Sequence, residues 1–213
     1  MKDIAIYGAG GLGREIACLL LRINQITPRW NLIGFFDDGK EVNSENEYGR
    51  ILGGINELNT WDTSLAVVFG IGNPRIVYSI VNNVSSPMVY FPNIIAPGTI
   101  FLDQERVQLG QGNVFCYNCI VSCNVKIGDF NVFNGMISVG HDVIIGSFNA
   151  FMPAVRVSGE VKIGDVNFFG VSSVILQQVN IGDKVILGAA SVMIRNPKND
   201  MTYIGNPAVR IKY

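Results

Sequence analysis

The stretch KIGDFNVFNGMISVGHDV at residues 126–143 is followed by IIGSFNAFMPAVRVSGEV at residues 144–161, which repeats its pattern of apolar residues and glycine. The pattern has a period of 18 residues, and each repeat begins at an Ile-Gly or Leu-Gly pair: Leu109, Ile127, Ile145, Ile163 and Ile181. Apolar residues also stand six and twelve positions after the start of each pair. An apolar residue at every sixth position predicts a three-sided coil of hexapeptides, whose backbone pairing runs between stacked turns.

The repeat covers only the second half of the chain of 213 residues, so we expect two domains. The predicted fold is α/β plus β-solenoid, with a small Rossmann-like domain at residues 1–91 and the repeat domain at residues 92–213. No secretory signal or membrane-spanning helix is recognisable, which favours a cytoplasmic protein without a membrane partner. The net charge of −1 argues against a nucleic-acid partner, which needs an excess of basic residues.

The four cysteines are too few and too uneven in spacing for a secreted disulfide scaffold. Cys116 and Cys119 have the spacing of half a zinc site, but the sequence offers no second pair and no histidine near them. We therefore expect buried or loop cysteines and no bound metal.

A glycine-rich turn follows the first predicted strand, at residues 3–7, and precedes a helical run that starts at Arg14. Such a turn lets the backbone approach a diphosphate, which the N–H groups of the helix N-terminus attract. A further predicted strand at residues 32–36 is followed by two carboxylates, and another at residues 65–69 is followed by a second glycine turn. The candidate nucleotide-binding residues are Gly8, Gly10, Gly11, Gly13, Asp37, Asp38, Gly72 and Asn73. The alternative is that these glycines only permit a tight turn.

The size of the first domain bears on what it binds. A dehydrogenase needs a full six-stranded nucleotide domain and more chain for its substrate. A half-size domain favours one nucleotide diphosphate over NAD. A carboxylate at the position of Asp37 could accept hydrogen bonds from a ribose hydroxyl or from a base N–H.

One asparagine per repeat stands at the same position, and asparagine tolerates a left-handed backbone and can bond its stacked neighbours. We therefore expect a structural ladder at a corner of the coil, formed by Asn113, Asn131, Asn149 and Asn167. His141, the only histidine, falls at a corner instead of at an inward position, and Asp142 stands beside it. Its ordinary pKa of about 6.5 suits it to accept a proton near neutral pH.

The combined motifs resemble the sialic acid O-acetyltransferase and nucleotide-amino-sugar N-acetyltransferase family of hexapeptide-repeat acyltransferases. The resemblance covers the whole chain and rests on the glycine turn, Phe36-Asp37-Asp38, Gly72-Asn73, Gly140-His141-Asp142 and Gly205-Asn206-Pro207-Ala208. It implies a left-handed parallel β-helix, a homotrimer, and acetyl-CoA in a groove between coils. The implied reaction is transfer of acetyl from acetyl-CoA to the amino group of a UDP-, GDP- or dTDP-linked 4-amino sugar, as in surface polysaccharide biosynthesis.

The resemblance also implies residue roles. His141 would be the general base with Asp142 as its support, Asn134 would line the same site, and the Gly159 N–H would stabilise the thioester oxyanion. The residues expected to contact acetyl-CoA are Gly159, Gly188, Ala189, Gly205, Pro207 and Arg210, with Lys212 beside them. For the C-terminal residues the alternative is a strand that caps the coil.

Two departures from the family keep other functions open. The chain has Ala150 where N-acetyltransferases often carry a second histidine, and Pro153-Ala154-Val155 where they carry Pro-Gly-Ala. The alternatives are O-acetylation of a sialic-acid-like hydroxyl and a non-catalytic nucleotide-binding trimer. The carbonic-anhydrase-like enzymes built on the same coil need three histidines for their metal, and this chain has one.

Overall fold

The computed structural model describes residues 1–211, and these form two compact units. The first is Met1–Pro97 and the second begins at Gly98, so the division falls at residue 97 where the sequence suggests residue 91. Lys212 lies outside the described residues. The two units match the predicted classes, an α/β domain followed by a β-solenoid.

The first unit is a mixed sheet with three helices. Its elements are β1 Lys2–Tyr7, α1 Gly11–Ile26, β2 Trp30–Phe36, β3 Glu45–Asn46, β4 Gly49–Gly53, α2 Ile55–Asn59, β5 Leu65–Phe69, α3 Pro74–Asn83, β6 Val89–Tyr90 and a short strand at Ile94–Ile95. The order across the sheet is β3-β4-β2-β1-β5-β6, and only the β3–β4 pair is antiparallel. Because β1, β2 and β5 are parallel neighbours, the residues after them meet at one edge.

The second unit is a coil with three parallel sheets. The first sheet contains Val114–Phe115, Val132–Phe133, Ala150–Phe151, Phe168–Phe169, Ile186–Leu187 and Thr202–Ile204, with Val209–Arg210 added antiparallel. The second contains Ile100–Phe101, Ile120–Val121, Ser138–Val139, Arg156–Val157, Val174–Ile175 and Val192–Met193. The third contains Gln108–Leu109, Lys126–Ile127, Ile144–Ile145, Lys162–Ile163 and Asn180–Ile181.

The register read from the repeat is confirmed. From Val114–Phe115 to Val192–Met193, each two-residue strand places its second residue inward, and residues 18 apart pair directly, as Val132 with Ala150 and Phe133 with Phe151. The inward phenylalanines of the first sheet are fully buried and stack, with ring centroids 4.3 Å apart for Phe115 and Phe133. The core is therefore a column of stacked rings and aliphatic side chains along the coil axis.

The asparagine ladder is also present, although one reason for expecting it is wrong. The N–H and the Nδ2 of Asn131 both donate to Asn113 Oδ1, at 2.9 and 3.0 Å, and Nδ2 also donates to the carbonyl of Gly146. Asn149 and Asn167 repeat these bonds one coil later each time. None of the four has a left-handed backbone, so side-chain bonding alone explains their place.

The left-handed residues lie elsewhere, at every sixth position from residue 112 to residue 190 with φ between 54° and 68°. They include residues that disfavour this conformation, such as Phe130 and Val166. Stacking between coils therefore imposes the corner geometry, whatever side chain stands there. Asp142 is one of these corner residues.

Candidate functional site

A cleft of about 460 Å³ lies at the edge of the first unit where β1, β2 and β5 end. It brings together most of the predicted nucleotide-binding residues and adds an apolar wall. Its lining consists of Tyr7, Gly8, Gly10, Gly11, Leu12, Asp37, Asp38, Gly39, Gly70, Ile71, Gly72, Ile76 and Ile80.

The glycines of the first turn have different tasks. Gly8 has φ +104°, which favours glycine, and a Cβ on Gly13 would lie 1.9 Å from the carbonyl oxygen of Gly8. Gly10 and Gly11 border open space, with no other heavy atom within 4 Å of a built Cβ. Gly8 and Gly13 thus hold the turn against the sheet, while Gly10 and Gly11 leave the start of α1 accessible to a ligand.

Asp37 and Asp38 also divide their tasks. Asp37 accepts hydrogen bonds from the N–H groups of Ala9 (2.8 Å) and Gly39 (2.9 Å), so it ties the glycine turn to the end of β2. Asp38 accepts from Tyr7 Oη (2.5 Å) and from the N–H of Ile55 at the start of α2. Burial, followed by this bond to Asp38, raises the pKa of Tyr7 well above its ordinary value.

Gly72 and Asn73 lie at the second glycine turn. Gly72 lines the cleft, whereas Asn73 is not among its lining residues in the described part of the chain. Asn73 Oδ1 accepts the N–H of Arg75 at 3.0 Å and so caps the N-terminus of α3. A capping role accounts for Asn73 without a ligand.

The predicted histidine pair lies at the corner between the second and third sheets of the coil. His141 Nδ1 is 2.8 Å from Asp142 Oδ2, and both side chains are about half exposed, at 49% and 50%. Asn124, one coil earlier, donates from Nδ2 to Asp142 Oδ1 at 3.1 Å. The bonds from His141 and then Asn124 hold the pKa of Asp142 below its ordinary value, so this carboxylate is ionised at neutral pH.

Gly159 lies directly beneath the imidazole ring. A Cβ built on Gly159 would be 2.5 Å from His141 Nε2, 2.7 Å from Cε1 and 3.0 Å from Cδ2. The ring therefore rests on this glycine, with Nε2 on the side of the following coil and Nδ1 toward Asp142. Within residues 1–211 the Gly159 N–H has no hydrogen-bond acceptor.

A Gly159→Ala substitution should lower kcat about 100-fold, because a displacement of about 1 Å in a catalytic group can have that effect. The alanine methyl group would overlap the imidazole of His141 and displace the ring from Asp142. Thiol release from acetyl-CoA measures the rate. In a His141→Ala background the same substitution should not change the melting temperature, because the imidazole that the new methyl group would meet is absent. If Gly159→Ala lowered the melting temperature equally in both backgrounds, the effect would not come from contact with the imidazole.

Asn134 and Ala150 lie away from this corner. Asn134 follows the first-sheet strand Val132–Phe133 and precedes the second-sheet strand Ser138–Val139, whereas His141 follows that second strand. No hydrogen bond joins Asn134 and His141 within the described residues, and a shared site remains a prediction. Ala150 is buried in the first sheet at 3% exposure, beside Phe151.

The residues predicted to contact acetyl-CoA lie at three places in the coil. Gly159 is at the histidine corner, while Gly188 and Ala189 lie at the corner between the first and second sheets. Gly205 and Pro207 form the turn between the antiparallel strands Thr202–Ile204 and Val209–Arg210, which cap the first sheet. The alternative of a strand cap thus describes the C-terminal residues, and contact with acetyl-CoA remains a prediction for all three places.

The sequence reasoning missed a second carboxylate at the histidine corner. Glu160 stands 18 residues after Asp142, at the same corner position of the next coil. Its Oε1 accepts from Gln177 Nε2 at 2.8 Å and its Oε2 from Gln178 Nε2 at 3.1 Å. These bonds, Gln178 first, hold the pKa of Glu160 below its ordinary value. The 18-residue period could have revealed it.

A second opening adjoins the histidine corner on the side of the earlier coils. This cleft of about 490 Å³ is lined by Glu105, Arg106, Gln108, Asn124, Lys126, Asp142 and Ile144. Asp142 therefore stands between this opening and His141. Within residues 1–211, no cluster of three His, Cys, Asp or Glu side chains suits a metal ion.

Among residues 1–211, no helix combines the length and the apolar character that crossing a membrane requires.

Comparisons with known proteins agree with this architecture. The PglD N-terminal domain family matches residues 3–84. The acetyltransferase domain of PglB from Neisseria gonorrhoeae FA1090, solved with acetyl coenzyme A, is 26% identical, with 99% of each chain covered and a TM-score of 0.87. WeeI from Acinetobacter baumannii AYE is 26% identical over 99% of this chain and 100% of its own, with a TM-score of 0.88.

The fold extends to more distant proteins. A mutant of perosamine N-acetyltransferase from Caulobacter crescentus, solved with CoA and GDP-perosamine, covers 100% of this chain and 98% of its own at 21% identity, with a TM-score of 0.87. At that identity the likeness concerns the fold. No curated protein matched the sequence.

An α/β domain with a glycine-lined cleft, joined to a hexapeptide coil that carries a histidine and a carboxylate at one corner, defines an acyltransferase of the hexapeptide-repeat class. Residues 3–84 match the PglD N-terminal domain family, and the full length superposes on the acetyltransferase domain of PglB and on WeeI. The chain is similar to hexapeptide-repeat acetyltransferases, as its sequence predicts.

Proposed function

We propose that this protein transfers acetyl from acetyl-CoA to the amino group of a nucleotide-linked 4-amino sugar. The observation that carries the proposal is the histidine corner. An imidazole that donates Nδ1–H to Asp142 keeps its lone pair on Nε2, which can then accept a proton from an attacking amine. The PglB domain of the same length, solved with acetyl coenzyme A, supports acetyl-CoA as the donor.

In the proposed reaction the sugar nitrogen attacks the thioester carbon while His141 Nε2 takes a proton from it. The imidazolium that forms is stabilised by Asp142, which bonds the other ring nitrogen and is ionised. The Gly159 N–H, which has no acceptor within residues 1–211, is our candidate donor to the oxyanion. The C–S bond then breaks, and the proton held by His141 passes to the leaving thiolate.

We propose that the nucleotide binds in the glycine cleft of the first unit. The N–H groups at the start of α1, next to Gly10 and Gly11, are suited to a diphosphate. Asp37 already accepts two backbone N–H groups, but each carboxylate oxygen has a further lone pair for a ribose hydroxyl or a base N–H. The wall of Ile71, Ile76 and Ile80 offers an apolar surface to a base.

The remaining assignments are proposals of the same kind. We place acetyl-CoA against Gly159 and against Gly188, Ala189, Gly205, Pro207 and Arg210, and we expect a cytoplasmic homotrimer. A trimer is consistent with the separation of Asn134 from His141 within one chain, because a second subunit could supply the asparagine. Sedimentation would give the subunit number.

The test is acetyl transfer to a panel of UDP-, GDP- and dTDP-linked 4-amino sugars, with GDP-perosamine first because a structure of the same fold contains it. We expect stoichiometric release of CoA thiol and an N-acetyl product, identified by mass spectrometry, for at least one sugar. Acetylation of a sialic-acid-like hydroxyl in place of the whole panel would identify an O-acetyltransferase instead. Nucleotide binding without any transfer would favour the non-catalytic trimer.

A further inference from the structure

Glu160 and Asp142 are carboxylates at the same corner position of successive coils, and His141 directly precedes Asp142. Asp142 bonds Nδ1, while Glu160 follows Gly159, the residue beneath Nε2. The backbone fixes this arrangement, because the Glu160 N–H donates to the carbonyl oxygen of His141 at 2.8 Å. Besides the glutamine bonds, which have the largest effect, His141 lowers the pKa of Glu160 and Asp142 raises it.

The Glu160 carboxylate is held in place although its residue is exposed. One glutamine side chain donates to each of its oxygens, Gln177 to Oε1 and Gln178 to Oε2. Each oxygen has a further acceptor site, so both remain available to a donor from a ligand. No lysine or arginine side chain forms an ion pair with Glu160 within residues 1–211. A fixed anion without a cationic partner is suited to a cationic ligand.

We propose that Glu160 binds the ammonium form of the substrate amine and so makes this site selective for amino sugars over hydroxyl nucleophiles. This inference rests on the proposed function and adds a specificity-determining residue to it. A primary amine is largely protonated at neutral pH, so the sugar arrives with one positive charge. A carboxylate on the residue that follows Gly159, at the corner that carries His141, attracts that charge and so favours binding of the sugar nitrogen at this corner. A neutral hydroxyl gains much less from it.

The proton balance is consistent with this role. The bound ammonium releases one proton to solvent and becomes the free amine. The amine then forms the C–N bond and loses its second proton to His141 Nε2, while the C–S bond breaks. The thiolate takes that proton, so the products are the amide, CoA thiol and one proton in solution. Glu160 holds the nitrogen throughout and remains ionised.

The experiment compares Glu160→Gln with the wild type on an amino sugar that the wild type acetylates. Glutamine keeps the size of the side chain and removes the charge. We expect the KM for the amino sugar to rise about tenfold, or about 1.4 kcal/mol, while the KM for acetyl-CoA changes less than twofold. The wild-type KM should also rise as the pH passes the pKa of the sugar amine, and this dependence should flatten in the variant.

A matched control is Glu45→Gln, which removes an exposed carboxylate from β3 in the first unit and should leave both KM values unchanged. Equal melting temperatures of the variants and the wild type would exclude a folding defect. A Glu160→Gln enzyme with an unchanged KM for the amino sugar, or with an equal rise in both KM values, would overturn the inference while the proposed function stands. A wild type that acetylates no amino sugar would overturn both.

Discussion

A His141→Ala variant is expected to lose acetyl transfer by about 10²- to 10⁴-fold in kcat, the range that general-base groups contribute. It removes Nε2, the atom to which the proposed mechanism assigns the proton of the amine, and leaves Asp142 without the imidazole. His141 side-chain exposure of 49% means that folding should be little affected. Thiol release from acetyl-CoA at saturating sugar measures the effect.

The matched control for this variant is Cys123→Ala, which truncates the residue at the equivalent corner of the preceding coil. We expect its kcat to stay within about twofold of the wild type, because the Cys123 side chain bonds neither Asp142 nor the imidazole, and alanine keeps the backbone carbonyl that accepts the Asp142 N–H at 3.0 Å. If His141→Ala turned over like the control, the proposed mechanism would be wrong and another group would have to take the proton.

Truncation of the central ring of the aromatic column has the largest expected effect on stability. Phe133 is fully buried, and its ring lies parallel to Phe115 at 4.3 Å and to Phe151 at 4.8 Å. A Phe133→Ala variant would lose contacts on both faces and leave a cavity that rigid stacked coils cannot close. We expect the free energy of unfolding to fall by about 3–5 kcal/mol.

Denaturant unfolding at one fixed protein concentration measures this change. Ile144→Ala is the control, because this outward residue of the third sheet is 43% exposed and its truncation should cost less than about 1 kcal/mol. If Phe133→Ala lowered the free energy of unfolding by as little as the control does, the coils would have to close around the missing ring, and the column of stacked rings would not be rigid.

The repeat domain could be predicted in detail because its register has a single physical cause, the inward residue of every hexapeptide. That cause placed Phe133 and Val139 correctly and put His141 at a corner. It could not identify the left-handed residues, since local preference argues against Phe130 and Val166 at such positions. At these corners the stacking of neighbouring coils outweighs the backbone preference of the individual residue. The sequence of a single repeat does not show this effect, because it depends on contacts between coils.

The candidate site was less predictable. The glycine turn predicted the cleft, but sequence spacing cannot distinguish an aspartate that contacts a ligand from one that ties a loop, as Asp37 does, or bonds a tyrosine, as Asp38 does. Adjacency in sequence drew attention to Asp142, whereas Glu160 is adjacent only across coils. Residues joined by the solenoid period belong to one surface, although the chain separates them.

The repeated corner at every sixth residue limits how this protein can change its length. Insertion of one residue into a strand would turn the later phenylalanine and valine side chains of that coil outward. Nearly all such insertions would therefore expose the core and prevent folding. Two kinds of change remain tolerable: a segment extruded at a corner, as residues 102–107 already are, or the gain or loss of a complete coil. The solenoid can thus lengthen in whole steps, while its corners carry the variation that creates new chemistry.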